Sequence, residues 1–195
     1  LAHLEKARGN SVRTRNARLA ALKSFYRHVA YRDPGALGVT ERVLAIRGKR
    51  GDKAAISYLT RDEVEALLAA PDRSTGAGRR WYALLLFLAR TGARVSEAIG
   101  VSALDLHLAP PRQVRLLGKG SKERIVPLDK GTAAVLDQLP RGTPDSRGAP
   151  VFTNSRGARL SRHGATHVIR RTAREGARSC PALRGKRVSP HVLRH

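Results

Sequence analysis

The stretch RRWYALLLFLARTGARVSEAIG, residues 79–100, decides how this chain folds. From Ala83 to Ala89 it is apolar without interruption. A helix that is hydrophobic all round has to lie inside a core. The run is far shorter than the roughly 20 residues that span a bilayer, so it reads as a buried helix. Gly92 sits just past its end, where a residue in the left-handed region commonly closes a helix. A further short helix starts at once over "RVSEAIG". Arg94 therefore stands at a junction between two helices, with the core fixing its backbone from behind. Trp81 and Tyr82 are expected to pack in that core. A catalytic Tyr82 is the competing reading.

Outward from this segment, "LTRDEVEALLAAP" (59–71) carries a capping box from Thr60 to Glu63, a buried stripe of Val64, Leu67 and Leu68, and a stop at Pro71. The spacing also predicts an amphipathic helix over 11–30, capped by Ser11. Its apolar stripe is Val12, Leu19, Leu22, Phe25, Tyr26 and Val29, with Arg13, Arg15, Arg18, Lys23 and Arg27 largely off it. Residues 112–128, "RQVRLLGKGSKERIVPL", read as two strands around a Gly-rich turn. A helix over about 130–139 follows, then a Gly/Pro loop, "PRGTPDSRGAP". Ser161 is expected to cap a helix ending near Gly176, with Ala165, Val168, Ile169 and Thr172 inward and Arg170, Arg171 and Arg174 on its other face. At the end of the chain, "SPHVLRH" (189–195) has Ser189 as an N-cap and Pro190 as a first helical residue. These elements define a mainly α fold with a small antiparallel β-sheet (α+β). They divide into a helical segment 1–47, a linker 48–56 that is charged and without periodicity, and a larger domain 57–195.

Charge is the strongest compositional signal. Lys and Arg number 38 against 15 Asp and Glu, a net charge of +23. Residues 1–50 hold 12 basic and 3 acidic side chains, and residues 151–195 hold 11 and 1. The middle of the chain is nearly balanced. Clustered basic charge attracts polyanions, nucleic acid first. The single Cys180 excludes an internal disulfide and a Cys-based zinc site. No secretory signal is visible, and a cytoplasmic location without membrane association is expected. The chain lacks Met and begins at Leu1; together with the helix announced at Ser189, this reads as a piece of a longer protein, cut at both ends.

The acidic residues are scattered, with no pairing that suggests a two-metal site. His163 and His167 have metal-ligand spacing on one helix, yet no acid or Cys lies nearby in sequence to complete a site; a solvated or DNA-facing pair fits better. Neither a phosphate-binding P-loop nor a "GxSxG" elbow occurs. What stands out is a set of basic residues in special positions: Arg94 at the helix junction, Lys119 in the hairpin turn, and His191 and Arg194 three apart on one helical face. Planar guanidiniums grip the non-bridging oxygens of a phosphate, while Lys and His move protons. Singly, each of these residues is more often a DNA contact or a surface charge.

"ARTGARVSEAIG", "GKGSKERIVPL" and "SPHVLRH", in this order, closely resemble three motifs of the tyrosine recombinase (phage integrase) family, especially its Xer-like branch. The resemblance implies site-specific DNA recombination by a tyrosine nucleophile that forms a 3′-phosphotyrosyl bond and leaves a free 5′-hydroxyl. It implies that Arg94 and Arg194 form the phosphate clamp, that Lys119 protonates the leaving 5′-oxygen, and that His191 assists proton transfer at the tyrosine. Lys122, in the same turn, is a rival for the Lys role. Glu97 and His195 match supporting positions. Residues 1–47 match the last part of the family's helical core-binding domain, and residues 57–195 the catalytic domain up to, but not including, the nucleophile. Tyr26, Tyr31, Tyr58 and Tyr82 all precede Arg94, and none matches it, so these residues alone are expected to be inactive. Double-stranded DNA is the expected partner, contacted by Arg13, Arg15, Arg18, Lys23, Arg27, Lys122, Arg124 and Arg162. The parent protein is expected to self-associate as a tetramer on DNA. No cofactor and no metal are implied, because the Arg pair takes the metal's place. Two other readings are a non-catalytic DNA-binding remnant of a decayed integrase gene and a basic RNA-binding protein of ribosomal type; the latter explains the charge but not the three ordered motifs.

The charge distribution predicts that the chain binds duplex DNA with a strong salt dependence. Each neutralised phosphate steepens the fall of log K against log salt by about 0.9. Titrations at several ionic strengths check this, and an affinity that stays flat between low and physiological salt would refute it.

Overall fold

A computed structural model describes residues 2–51, 58–140, 148–190 and 192–194. The chain divides into two compact units, Leu1–Ala55 and Ile56–His195.

The first unit holds α1 (Ala2–Lys6), α2 (Val12–Arg32) and α3 (Leu37–Ala45). Ser11 caps α2 as expected, accepting from the Thr14 N–H at 3.2 Å. The buried side of α2 differs from the expected stripe. Arg15 and Leu19 are buried, whereas Leu22 and Phe25 are 43% and 59% exposed. The cause is what α2 packs against. Its Arg15, Asn16 and Lys23 face the returning chain and tie it down: Arg15 donates to the Arg47 carbonyl at 3.1 Å, Asn16 to the Lys49 carbonyl at 2.8 Å and Lys23 to the Leu44 carbonyl at 2.7 Å. Glu5 lies 3.0 Å from Arg15 and 2.6 Å from Lys49. Among the described residues of this unit, Leu19 is the one fully buried apolar side chain.

The second unit is built around α5 (Gly76–Thr91). Thr75 caps it, so that it starts at Gly76, three residues before Arg79, and Ala83 to Leu88 are all buried. Phe87 stacks obliquely on Phe152, with ring centroids 5.2 Å apart. Trp81 and Tyr82 lie at the edge of this core, half-buried, each covered by a guanidinium: Arg171 over Trp81 and Arg73 over Tyr82. Around α5 pack α4 (Arg61–Ala69), α6 (Val95–Gly100) and α7 (Lys130–Asp137), while α8 (Arg162–Gly176) packs on α4 and α6. The capping box at Thr60 and Glu63 forms as expected, and Ser161 caps α8. Ala165, Val168, Ile169 and Thr172 all face inward.

The sheet is antiparallel and three-stranded, in the order β1 (Leu106–His107), β2 (Gln113–Leu117), β3 (Glu123–Pro127). The two-residue β1 is too short to leave a periodic signal in sequence. Along β2 the side chains alternate, with Val114 and Leu116 buried and Arg115 and Leu117 exposed. The helix expected from Ser189 is reduced to a single 3₁₀ turn, Val192–Arg194, in which the Val192 and Leu193 N–H groups both donate to the Ser189 carbonyl. A first turn is the costly part of a helix, since it fixes about three residues for one bond. Most of the "PRGTPDSRGAP" loop (141–147) and of the linker (52–57) lies outside the described residues. Among the described residues no helix is long and apolar enough to cross a membrane.

Leu85→Ala, at a fully buried site, should cost about 2–5 kcal/mol, and Phe25→Ala, at an exposed one, about 0.5 kcal/mol or less. Urea unfolding of the two variants measures the difference; comparable losses would return Phe25 to the core.

Candidate active site

Arg94 owes its position to a chain of local constraints. Gly92 ends α5 in the left-handed conformation (φ 59°, ψ 24°), which a Cβ would oppose. Its N–H donates to the Leu88 carbonyl, and Ala93 is buried behind it. Arg94 then takes the extended N-cap position of α6, with its side chain 55% exposed. One turn on, Glu97 is 3% exposed and accepts three hydrogen bonds. The Arg94 backbone N–H donates to its Oε2 at 2.8 Å, the Arg94 guanidinium to its Oε1 at 2.7 Å, and Arg124 from β3 to its Oε2 at 2.6 Å. Burial alone would push this carboxyl upward. The Arg94 N–H and the two guanidiniums outweigh it and hold the carboxyl down at about 2. The result is a carboxylate locked in its charged form, gripping one arginine from a helix and one from the sheet.

The hairpin comes close to this carboxylate. Gly118 has no side chain, and a Cβ there would lie 3.4 Å from Glu97 Oε1 and 3.3 Å from the Lys122 carbonyl. Lys119 opens the turn Lys119–Ser121, in which Gly120 and Ser121 both have positive φ (74° and 57°). Lys122 is exposed. The 3₁₀ turn ending at Arg194 packs on α5, where Leu193 is buried and lines a cavity together with Ala89 and Arg90. The hairpin at Gly118, just before the Lys119 turn, thus borders α6 at Glu97, and the Arg194 turn borders the end of α5. His191 and His195 lie outside the described residues, as do the side chains of Lys119 and Arg194.

The residues expected on DNA separate into two groups. Arg13, Arg18, Arg27, Lys122 and Arg162 are exposed. Arg15, Lys23 and Arg124 are instead committed within the protein. Arg15 is 7% exposed and bonded to the Arg47 carbonyl, Lys23 is bonded to the Leu44 carbonyl, and Arg124 points inward to Glu97. The role of Glu97 as a bridge between α6 and β3 escapes sequence reading. Its visible trace is the three-residue spacing from Arg94, shared with the Thr60–Glu63 capping box. A second inward acid, Glu63, binds Lys186 at 2.7 Å, and nothing in local sequence announces that pair. Among the described residues no group of three His, Cys, Asp or Glu side chains could hold a metal ion.

The helices packed around α5 and the three-stranded sheet form a fold shared with solved recombinases and integrases. Residues 57–195 match the phage integrase family, and the chain belongs to that family. The y4rD product of Sinorhizobium fredii, which bears an integrase/recombinase name, is 46% identical over 198 residues, covering 100% of this chain and 70% of the relative. The tyrosine recombinase XerC of Pelobacter propionicus is 36% identical over 184 residues, covering 91% of this chain and 56% of the relative. Among solved structures, the Tn1549 transposon integrase in complex with transposon right end DNA shares the fold with a TM-score of 0.74 at 18% identity, covering 98% of this chain and 67% of that one. The XerA recombinase aligns with a TM-score of 0.59 at 22% identity, covering 91% and 66%.

With its carboxyl held at about 2, Glu97 contributes stability that is complete above its ordinary value near 4.5 and is lost as pH falls through the folded value. The displacement corresponds to about 3 kcal/mol. The stability advantage of the wild type over Glu97→Gln should therefore be constant from neutral pH to about 5 and shrink by about that amount toward pH 2. Denaturant unfolding across this range measures it; a gap independent of pH would mean that Glu97 is not held ionised by its arginines.

Proposed function

We propose that this chain acts in site-specific DNA recombination, cutting and rejoining DNA strands through a 3′-phosphotyrosyl intermediate. Residues 57–195 form the catalytic domain, residues 1–47 the end of a helical domain that grips the duplex, and 48–56 the linker. The observation that carries this reading is the Arg94–Glu97–Arg124 clamp beside the Lys119 turn, in a chain of the phage integrase family. The names of the relatives, and the DNA held by structural neighbours such as the Tn1549 integrase, support it.

In this mechanism Arg94 and Arg194 each hold non-bridging oxygens of the scissile phosphate. Glu97 fixes the plane of the Arg94 guanidinium beforehand, so no reorganisation is needed when charge builds up on the phosphoryl oxygens. A tyrosine oxygen attacks phosphorus, forming the P–O(Tyr) bond as the P–O5′ bond breaks. His191 receives the tyrosine proton, and Lys119 supplies a proton to the leaving 5′-oxygen; Lys122, exposed in the same hairpin, is the alternative donor. Attack by the new 5′-hydroxyl of a partner strand reverses these steps and rejoins the DNA. Strand exchange takes place in a tetramer on two duplexes. The nucleophile comes from a tyrosine outside these 195 residues. Tyr82 stacks under Arg73, Tyr58 lies beside Lys186, and Tyr26 and Tyr31 belong to the first unit.

A nicked suicide substrate carrying the parental site tests the reading on denaturing gels. The 195-residue chain should form no covalent adduct, whereas a version extended along its reading frame through the family's tyrosine should. An adduct with the short chain would make one of its own four tyrosines the nucleophile. In the extended protein, Arg94→Lys should keep most DNA binding and lose on the order of 10²–10³ in cleavage rate, because Lys keeps the charge but not the two-point planar grip. Full cleavage by that variant would reduce Arg94 to a positioning contact.

A further inference from the structure

A strongly basic concavity of the second unit shares no lining residue with the Arg94–Glu97 clamp. It is a cleft of about 770 Å³ between α8 and the segment after it, lined by Arg170, Arg174, Arg178, Arg184, Lys186 and Arg187. No acidic residue lines it. Lys186 is committed to Glu63 and to the Tyr58 carbonyl. The five arginines have no ion pair or side-chain hydrogen bond among the described residues. Their neighbour Arg171, on the same helix but outside the cleft, is by contrast neutralised by Glu175 at 3.0 Å and stacked over Trp81. Five uncompensated guanidiniums around one cleft repel each other, and an anion seated between them relieves that repulsion.

We propose that this cleft seats a segment of duplex DNA backbone, as a sequence-independent phosphate contact separate from the reacting phosphate. The inference rests on the reading of the chain as a DNA recombinase. Three features favour a phosphodiester backbone over other anions. Arg170, Arg174 and Arg178 follow one another at four-residue intervals, a rise of about 6 Å per step for the helical part, which makes a row of charges rather than a single focus. The floor is aliphatic, formed by Ala173, Ala177, Leu183 and Val188, so it offers no aromatic surface on which bases of a single strand could stack. The walls are fixed. Leu183 and Val188 are 3% and 4% exposed, and Lys186 anchors the far wall to α4. Ser189 lines the end of the cleft, so a backbone held there lies beside the start of the segment that carries His191 and Arg194.

The test compares the triple variant Arg170→Gln, Arg174→Gln, Arg178→Gln with a control triple, Arg73→Gln, Arg90→Gln, Arg156→Gln, drawn from exposed arginines outside the cleft. Anisotropy titrations use duplexes of unrelated sequence at several salt concentrations, and circular dichroism melts confirm folding. The cleft variant should flatten the slope of log K against log salt by about two to three, at about 0.9 per lost phosphate contact, equally for every duplex. The control should flatten it by less than about one. Arg184→Gln with Arg187→Gln, on the opposite wall, should give a drop of about one to two by the same rule and guards against a helix effect in the triple variant. An unchanged slope, or equal losses in cleft variant and control, overturns the proposal while leaving the recombinase reading intact. Cleft-dependent binding of inorganic tripolyphosphate with no change in the DNA slope overturns it in favour of a small-polyanion site. A wild-type chain that binds no duplex at all removes both readings.

Discussion

The buried carboxylate of Glu97 is the constraint on which the presentation of Arg94 rests. A charge taken out of water must be matched by several kcal/mol of partner interactions, and here the partners come from two different layers of the domain. The helix that carries Glu97 can therefore not slide against the sheet without stranding a charge. Arg94 inherits this rigidity twice, through its own bond to Glu97 and through Gly92, which joins it to the most buried helix of the unit. The hairpin inherits it through Arg124 and through the close approach at Gly118. The Arg94 guanidinium is thus held in place by the protein itself, through one acidic side chain in a strongly basic protein.

Part of this arrangement was legible in the sequence. The run Ala83–Ala89 with Gly92 behind it located the core helix and the junction at Arg94, because a helix apolar on all sides has one stable environment. Thr60 and Ser161 marked element starts for equally local reasons. What periodicity could not supply was the identity of the partner across a face. Arg15 and Lys23 looked like exposed charge beside an apolar stripe, yet they face a returning segment whose carbonyls need donors. Arg124 occupies an inward position of β3 that a strand pattern would assign to an apolar residue, and it is tolerated because Glu97 lies opposite. The three ordered motifs named residues that no local rule connects; the structure sets the Gly118 hairpin beside Glu97 and the Val192–Arg194 turn against α5.

Basic residues of this chain fall into two populations that net charge does not distinguish. Some are internal donors: Arg15, Lys23, Arg124, Arg159 and Lys186 satisfy carbonyls or carboxylates, Arg159 through the Ile99 carbonyl at 2.7 Å. Others, such as the arginines of the cleft beside α8, have no counter-charge among the described residues. Unmatched charges, rather than total charge, indicate where a polyanion is expected. Isolated surface ion pairs such as Arg61–Glu65 contribute about 0–1 kcal/mol and say little in either direction.

The bond between Lys186 and Glu63 joins residues 123 positions apart. It sets an order for folding as the chain leaves the ribosome. The helix α4 emerges with an acid that has to be buried, and the cation that neutralises it is synthesised 123 residues later. Until then α4 can form its capping box but cannot dock without leaving Glu63 short of its counter-charge. Such long-range closure slows folding relative to local contacts. It also ties the docking of α4 to the locking of the segment around Lys186, so that the two become a single event.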